Sequence, residues 1–349
     1  MSVLGERLPG TWSLRTRDKE PIADNQLIDA LVNLTPPDGE GIVLGIEVKR
    51  AVTPRDVQPM LDQITSFAAT RPMPTDVMPV LVARYLPEST RERIATAGAG
   101  YIDATGNIRI VADRPALFLS DRGADSDPWR GPGRPRSGLR GEPAARVVRA
   151  LVDFAPPYTV PELAERAGSS TGATYRVIDF LEQEDLITRQ AYGPITDVRW
   201  RDLLMRWSED YRFAESNAVS LYLEPRGLGV LVKRLEAAEQ LEYVVTGSLA
   251  AARAVAFAPS RQALIYADDP QRLVQALELR PTDTGANVVV AAPRYDVVFS
   301  RAETMQTIAF KVAALSQVVV DLLSGPGRNP NEAIALLDWM EANEPDWRR

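Results

Sequence analysis

The sequence predicts an α/β chain of several domains, and three observations carry that expectation: its length, its alternation of strand-like and helix-like runs, and one segment of linker composition. At 349 residues it has room for two or three domains of ~150 residues, each able to bury a core of its own. Hydrophobic residues at 45% and charged residues at 25% are those of an ordinary globular protein, and no run approaches the ~18 apolar residues of a membrane helix. Residues 121–141 (DRGADSDPWRGPGRPRSGLRG) are dense in Gly, Pro, Asp and Arg without apolar periodicity, which is linker composition. The expected division is 1–120, a linker at 121–141, 142–201 and 202–349.

The chain contains neither Cys nor His, which removes disulfides, thiol nucleophiles, Cys/His zinc sites and histidine general bases together. Chemistry is left to carboxylates, Lys, Arg and hydroxyls. The start, MSVLGERLPG, lacks a basic stretch followed by an apolar one, so a cytoplasmic location without a membrane partner is expected. Net charge is −7, from 40 basic and 47 acidic residues; a uniformly basic nucleic-acid coat is excluded, local basic patches are not. Only Lys19, Lys49, Lys233 and Lys311 are lysines, so a Lys at a chemically suggestive place carries more information than an Arg.

In the first domain, strand-like runs (LIDALVNL, GIVLGIEVKR, DVMPVLVARYL, GYIDATGNIRIV) alternate with helical patterns at about 54–70 and 87–98. The turn PPDGEG between the first two runs suits a hairpin. Within GIVLGIEVKR, Glu47 and Lys49 are two apart and share one strand face, and the pairing can bring Asp29 beside them. Two carboxylates can hold Mg²⁺ through oxygen, and a neighbouring ammonium can position water or stabilise charge on phosphate. A solvated cross-strand pair is the alternative. The constellation resembles the PD-(D/E)xK restriction-endonuclease-like superfamily over about residues 12–112. That resemblance implies Asp29, Glu47, Lys49 and, on the next helix, Gln63 as catalytic residues, with Asp29 and Glu47 as the Mg²⁺ ligands if the site is active and no cofactor otherwise. The superfamily places a helix with a further acidic residue before its first strand, where only a short piece carrying Glu6 stands here. In GYIDATGNIRI, Asp103 is expected to brace the turn at 104–107.

In the middle, EPAARVVRALVDFA places Ala145, Val148, Leu151 and Val152 on one helical stripe. TVPELAERAG opens a second helix with Thr159 as N-cap, Pro161 in its first turn and Glu162 three residues after the cap, and stops at Gly168. SSTGATYRVIDFLEQEDLI forms a third, burying Val177, Ile178 and Leu181, and LITRQAYGPITDVRW reads as a hairpin tipped by Tyr192-Gly193-Pro194. The segment 142–201 resembles the winged helix-turn-helix domain of bacterial transcription regulators. The resemblance implies double-stranded DNA as partner, met by Ser169, Ser170, Thr171, Thr174, Tyr175 and Arg176, with Arg189, Arg199 and Arg201 at the wing. This segment holds seven Arg against nine acids; adding Arg130, Arg134, Arg136 and Arg140 turns 128–201 to eleven against nine. Those linker arginines are therefore included in the interface, and Gly133-Arg134-Pro135 is similar to an AT-hook core, with a plain solvated linker as the alternative. Use of the winged helix as a protein-protein module is the alternative.

From about 202, helices such as GLGVLVKRLEAAEQ alternate with strands such as LEYVVTG, ALIYA and NVVVAA, ending in two helices expected at about 303–324 and 330–342. YVVTGSLAAARAVAF resembles the opening of the nucleotidyltransferase fold. Active members follow it with a strand bearing two acids one residue apart, and Gln262-Ala263-Leu264-Ile265-Tyr266 has none, so an inactive domain is expected. Asp268 and Asp269 are read as caps for the helix opened by Pro270. Gln317, Asp321 and Arg328 in AALSQVVVDLLSGPGR are similar to a pattern of AbiEi-type antitoxins, which implies an autoregulatory DNA-binding protein with a cognate toxin or other protein as partner; an exposed helical face is the alternative for the first two. The leading expectation is a sequence-specific DNA-binding transcription regulator, with homodimer formation open. The alternatives are a Mg²⁺-dependent DNA endonuclease guided by the winged helix and an interaction scaffold.

Overall fold

A computed structural model describes residues 2–17, 28–69, 76–129, 138–190, 193–238, 240–255, 257–305 and 308–348. The fold is mixed α/β in two compact units, Met1–Arg134 with Glu182–Asp185, and Pro135–Leu181 with Leu186–Arg349.

The first unit runs α1 (Ser2–Gly5), β1 (Ser13–Arg17), β2 (Ala30–Thr35), β3 (Ile42–Lys49), α2 (Pro54–Ala69), β4 (Val77–Ala83), α3 (Glu88–Thr96), β5 (Gly100–Asp103), β6 (Ile108–Ala112) and β7 (Leu117–Asp121). Its seven strands lie in chain order in one sheet. Pairings β1/β2, β2/β3, β5/β6 and β6/β7 are antiparallel, as short turns allow, whereas β3/β4 and β4/β5 are parallel and joined across α2 and α3. β3 is central and covered on both sides, which is why Ile42–Glu47 is a continuous buried run. Leu44 and Ile46 join Val32, Leu34, Ile108 and Ile110 on one face; Ile64, Val57 and Leu61 of α2 cover the other with Leu81 and Ile94.

In the second unit come α4 (Glu142–Asp153), α5 (Val160–Arg166), α6 (Thr171–Gln183), the hairpin β8 (Ile187–Arg189) and β9 (Ile195–Val198), α7 (Trp200–Asp210) and α8 (Phe213–Ser216). Then follow β10 (Ala218–Leu223), α9 (Leu228–Ala237), β11 (Tyr243–Thr246), α10 (Gly247–Ala251), β12 (Ala263–Ala267), α11 (Pro270–Ala276), β13 (Arg280–Pro281), β14 (Val288–Ala292), a 3₁₀ turn at Asp296–Phe299, β15 (Glu303–Met305), β16 (Ile308–Val312), α12 (Leu315–Leu323), α13 (Asn329–Ala342) and α14 (Glu344–Trp347). The sheet order is β13-β10-β14-β12-β11-β16-β15. The helix expected from 303 begins only at Leu315; the residues before it form the antiparallel pair β15/β16.

One hydrophobic core runs through this unit from Leu139 to Met340, so the helices of 142–201 and the sheet beyond share an interior. α4 is buried along almost its whole circumference. Its last carbonyls lack helical partners and are met by arginines from far along the chain. Arg348 donates through Nε to Val152 O at 3.0 Å and through Nη2 to Leu151 O at 3.2 Å, and Arg301 Nη1 donates to Asp153 O at 2.6 Å. α12 is equally buried, from Leu315 to Leu322. Gln317 and Asp321 therefore lie inside the protein, a correction to the exposed helical face. An apolar neighbourhood won over local polarity because each finds hydrogen-bond partners there. Among the described residues no helix is long and apolar enough to cross a membrane.

Candidate functional site

The E-x-K strand is β3, and its alternation sets the site. Gly45 and Glu47 face α2; at Gly45 a Cβ would stand 2.7 Å from Ile64 Cγ2 and 2.8 Å from Val77 Cγ1, so only glycine lets the helix lie this close. That approach carries Gln63 to Glu47, and Gln63 Nε2 donates to Glu47 Oε2 at 3.2 Å. Lys49 Nζ lies 3.0 Å from the other oxygen, Oε1. Glu47 is 3% exposed, while the Lys49 side chain reaches solvent with 52% of its surface exposed. Asp29 precedes β2, one step beyond the Ala30/Ile46 pair and so across from Glu47. It is held there by its own N–H to Ile46 O at 3.0 Å and by Val48 N–H donating to its Oδ2 at 2.7 Å.

Thus Asp29, Glu47, Lys49 and Gln63 come together as their spacing suggested. The hydrogen bond and charge of Glu47 raise the Lys49 ammonium above its ordinary range, opposed by loss of hydration and aided to a lesser degree by Asp29 and Asp56. Asp29 and Glu47 are the residues that could hold a divalent cation, each through a hard carboxylate oxygen. Among the described residues no group of three or more acids is arranged for a metal. Asp103 braces its turn, accepting from the N–H groups of Thr105 and Asn107 and from Leu86 N–H.

In the second unit α5 starts with a full capping box: Glu162 N–H donates to Thr159 Oγ1 and Thr159 N–H to Glu162 Oε2. Gly168, at φ +57°, turns the chain after α5. Ser170 Oγ accepts from Ala173 N–H at 3.3 Å and opens α6. Ala173, Val177, Ile178 and Leu181 face the core; Ser170, Thr171, Tyr175 and Arg176 are exposed, and Ser169 is half-buried. Thr174 corrects the expected interface. It is fully buried, its hydroxyl donating back to Ser170 O at 3.1 Å, because it follows Ala173 on the inward face.

The expected phosphate-binding arginines are engaged with acids of the protein. Arg189 meets Asp179 at 3.4 Å, Arg199 meets Asp202 at 2.5 Å and Arg140 meets Asp210 at 3.2 Å. Arg201 reaches Asp338 and Glu341 of α13 at 2.6 and 2.9 Å, tying α7 to that helix. Arg134, Arg136 and the hairpin tip at Tyr192 lie outside the described residues.

No family model matches the chain, and no curated protein or solved structure does.

In the sheet region Ser248 Oγ donates to Glu332 Oε2 at 2.6 Å, so the Gly-Ser turn is occupied from within the protein. Asp269 caps α11 by accepting from Arg272 N–H at 3.0 Å, and Arg328 donates to Pro259 O. Local patterns carry no sign of the buried polar chain around Asp321. Its carboxylate accepts from Thr246 Oγ1 at 2.6 Å, Tyr266 Oη at 2.8 Å and Gln317 Nε2 at 3.0 Å, and burial raises its pKa to about 6 against these hydrogen bonds. Burial also lifts the Tyr211 and Tyr266 hydroxyls well above their ordinary value.

Proposed function

We propose that the chain is a sequence-specific, double-stranded-DNA-binding transcription regulator, antitoxin-like and acting on its own promoter. The observation that carries this reading is the exposed polar face of α6, with Thr171, Tyr175 and Arg176, on a helix held by α4 and α5 and followed by a hairpin. A helix so supported can enter a major groove, about 12 Å wide, while the hairpin lies along the backbone as a wing. The sheet region, with a nucleotidyltransferase-like plan and no pair of acids on β12, serves as a rigid platform for that helix set and for a second copy or a protein partner.

The test is a gel shift with DNA from the region upstream of the protein's own coding sequence. Preference over unrelated DNA, weakening as salt rises, is expected. Replacing Arg134 and Arg136 by Ala should weaken binding to all sequences and flatten the salt dependence. Equal binding to every sequence overturns the reading.

A second reading is favoured by a specific observation: Asp29, Glu47, Lys49 and Gln63 converge at one end of β3. On this reading the unit is PD-(D/E)xK-like and would serve Mg²⁺-dependent phosphodiester hydrolysis: Asp29 and Glu47 would hold the ion, which would stabilise charge on phosphate, and Lys49 would orient water. Its test is cleavage of the same DNA with and without Mg²⁺. Cutting abolished by Glu47→Gln with binding retained would make this reading the principal one.

A further inference from the structure

We propose, resting on the DNA-binding reading of residues 142–201, that Arg176 reads a guanine in the major groove and that Gly172 is the point at which the duplex comes closest to α6.

The argument begins with the arginines of this segment. Arg149 is buried against Asp153. Arg146, Arg189, Arg199 and Arg201 are ion-paired. Arg166 lies over the rings of Phe154 and Tyr158. Among the described residues of 142–201, that leaves Arg176 as the arginine without an acid, carbonyl or ring partner, and it is exposed on α6. The nearest acid along its face, Asp179, is occupied by Arg189. A guanidinium fork presented in this way matches the O6 and N7 acceptors of guanine with two parallel hydrogen bonds.

Gly172 supplies an independent observation. It stands four residues before Arg176, hence one turn away on the same face. Its backbone is not in the left-handed region, and a Cβ there would meet only Arg176 Nη1, at 3.9 Å. Neither conformation nor internal packing calls for glycine, which lowers helix stability relative to alanine. A missing side chain on an exposed face, between Thr171 and Tyr175 and below the Arg176 guanidinium, lets an external surface approach the helix backbone. On the DNA-binding reading that surface is a duplex, and since the deep, narrow major groove of duplex RNA does not admit a helix, the duplex is DNA.

The experiment selects binding sites for the full chain from a pool of random duplex DNA, then measures affinity with each base pair of the enriched site replaced in turn. The site should contain a G·C pair whose replacement weakens the wild-type protein by about 5- to 150-fold and leaves the affinity of Arg176→Ala unchanged. Arg176→Lys keeps the charge and loses the fork, and should behave as Arg176→Ala. Gly172→Ala should melt at a higher temperature yet bind the site about tenfold or more weakly, on the tenfold-per-1.4-kcal/mol scale of binding. Retention of the same base preference by Arg176→Ala or its rescue by Arg176→Lys overturns the guanine contact. Unchanged affinity in Gly172→Ala overturns the close approach. No enrichment of any sequence overturns the DNA-binding reading and this proposal with it, an outcome distinct from the other two.

Discussion

The guanidinium of Arg149 donates to the side-chain oxygen of Gln317 across 3.2 Å, and that contact decides which end of the Gln317 amide faces Asp321. With its oxygen held, the amide turns its nitrogen to Asp321 Oδ1 at 3.0 Å and to Tyr211 Oη at 3.3 Å. Asn217 also donates to Tyr211, at 3.1 Å. Since Tyr266 gives its proton to Asp321, it accepts from Tyr211 across 2.7 Å. The Tyr211 and Tyr266 hydroxyls and the Gln317 amide thus lead to one carboxylate, and the network spans α4, α12, β12 and the residue that follows α7.

Removing Arg149 leaves Asp153 buried without its cation. Arg149→Met should therefore destabilise the second unit by about 3–5 kcal/mol, read from urea unfolding. Replacing both partners, Arg149→Met with Asp153→Leu, should recover most of the loss, because the penalty belongs to the stranded charge. Equal destabilisation by the single and double variants would show that the pair acts through its hydrogen bonds to Ser300, Val297 and Ser316 instead.

Asp321 gives the chain a distinct pH signature. Burial lifts it from 3.8 to about 6 in the folded state, so between about pH 4 and 6 the folded chain holds a proton that the unfolded chain has released. The stability from this group is fully present below pH 4 and is lost as pH rises through 6, with a full swing of about 3 kcal/mol. Unfolding free energies measured from pH 4 to 8 should show this fall superposed on the other carboxylates. The difference between wild type and Asp321→Asn isolates it, and a difference independent of pH contradicts it.

For Lys49 the expected change is opposite in kind. Its partner raises it, so Glu47→Gln should lower the Lys49 pKa toward the ordinary lysine value. With four lysines in the chain, side-chain nitrogen shifts followed through an NMR titration can be assigned one by one. An unmoved Lys49 titration would show that Glu47 does not govern its charge.

Much of the carboxylate site was legible because its logic is local. Two residues apart on a strand means one face, the Pro-Asp-Gly turn fixes an antiparallel neighbour, and the helix after the strand returns Gln63 over Glu47. The capping box at Thr159 and Glu162 was legible for the same reason. β1 and β7 leave little trace in the sequence because they are five-residue strands at the sheet edges, SLRTR and LFLSD, where burial imposes little pattern. Thr174 departs from expectation because a threonine near a helix start suggests an exposed hydroxyl, whereas its inward phase and its bond to Ser170 O keep it in the core. Of the partners of Asp321 only Gln317 is local, four residues back on α12; Tyr266 and Thr246 stand 55 and 75 positions away on other strands, beyond what any periodicity can relate.

The arginine cap on α4 also has a meaning in time. Val152 O accepts from Arg348, 196 positions further on, so a chain emerging from the ribosome exposes the whole of 142–201 long before the group that closes its first helix has been made. The cap on the end of α4 therefore cannot form until nearly the entire second unit has been made. A ribosome stalled anywhere before that point carries a nascent chain with those helices unsealed. Protease protection of stalled nascent chains should rise in one late step rather than soon after residue 201 clears the exit tunnel.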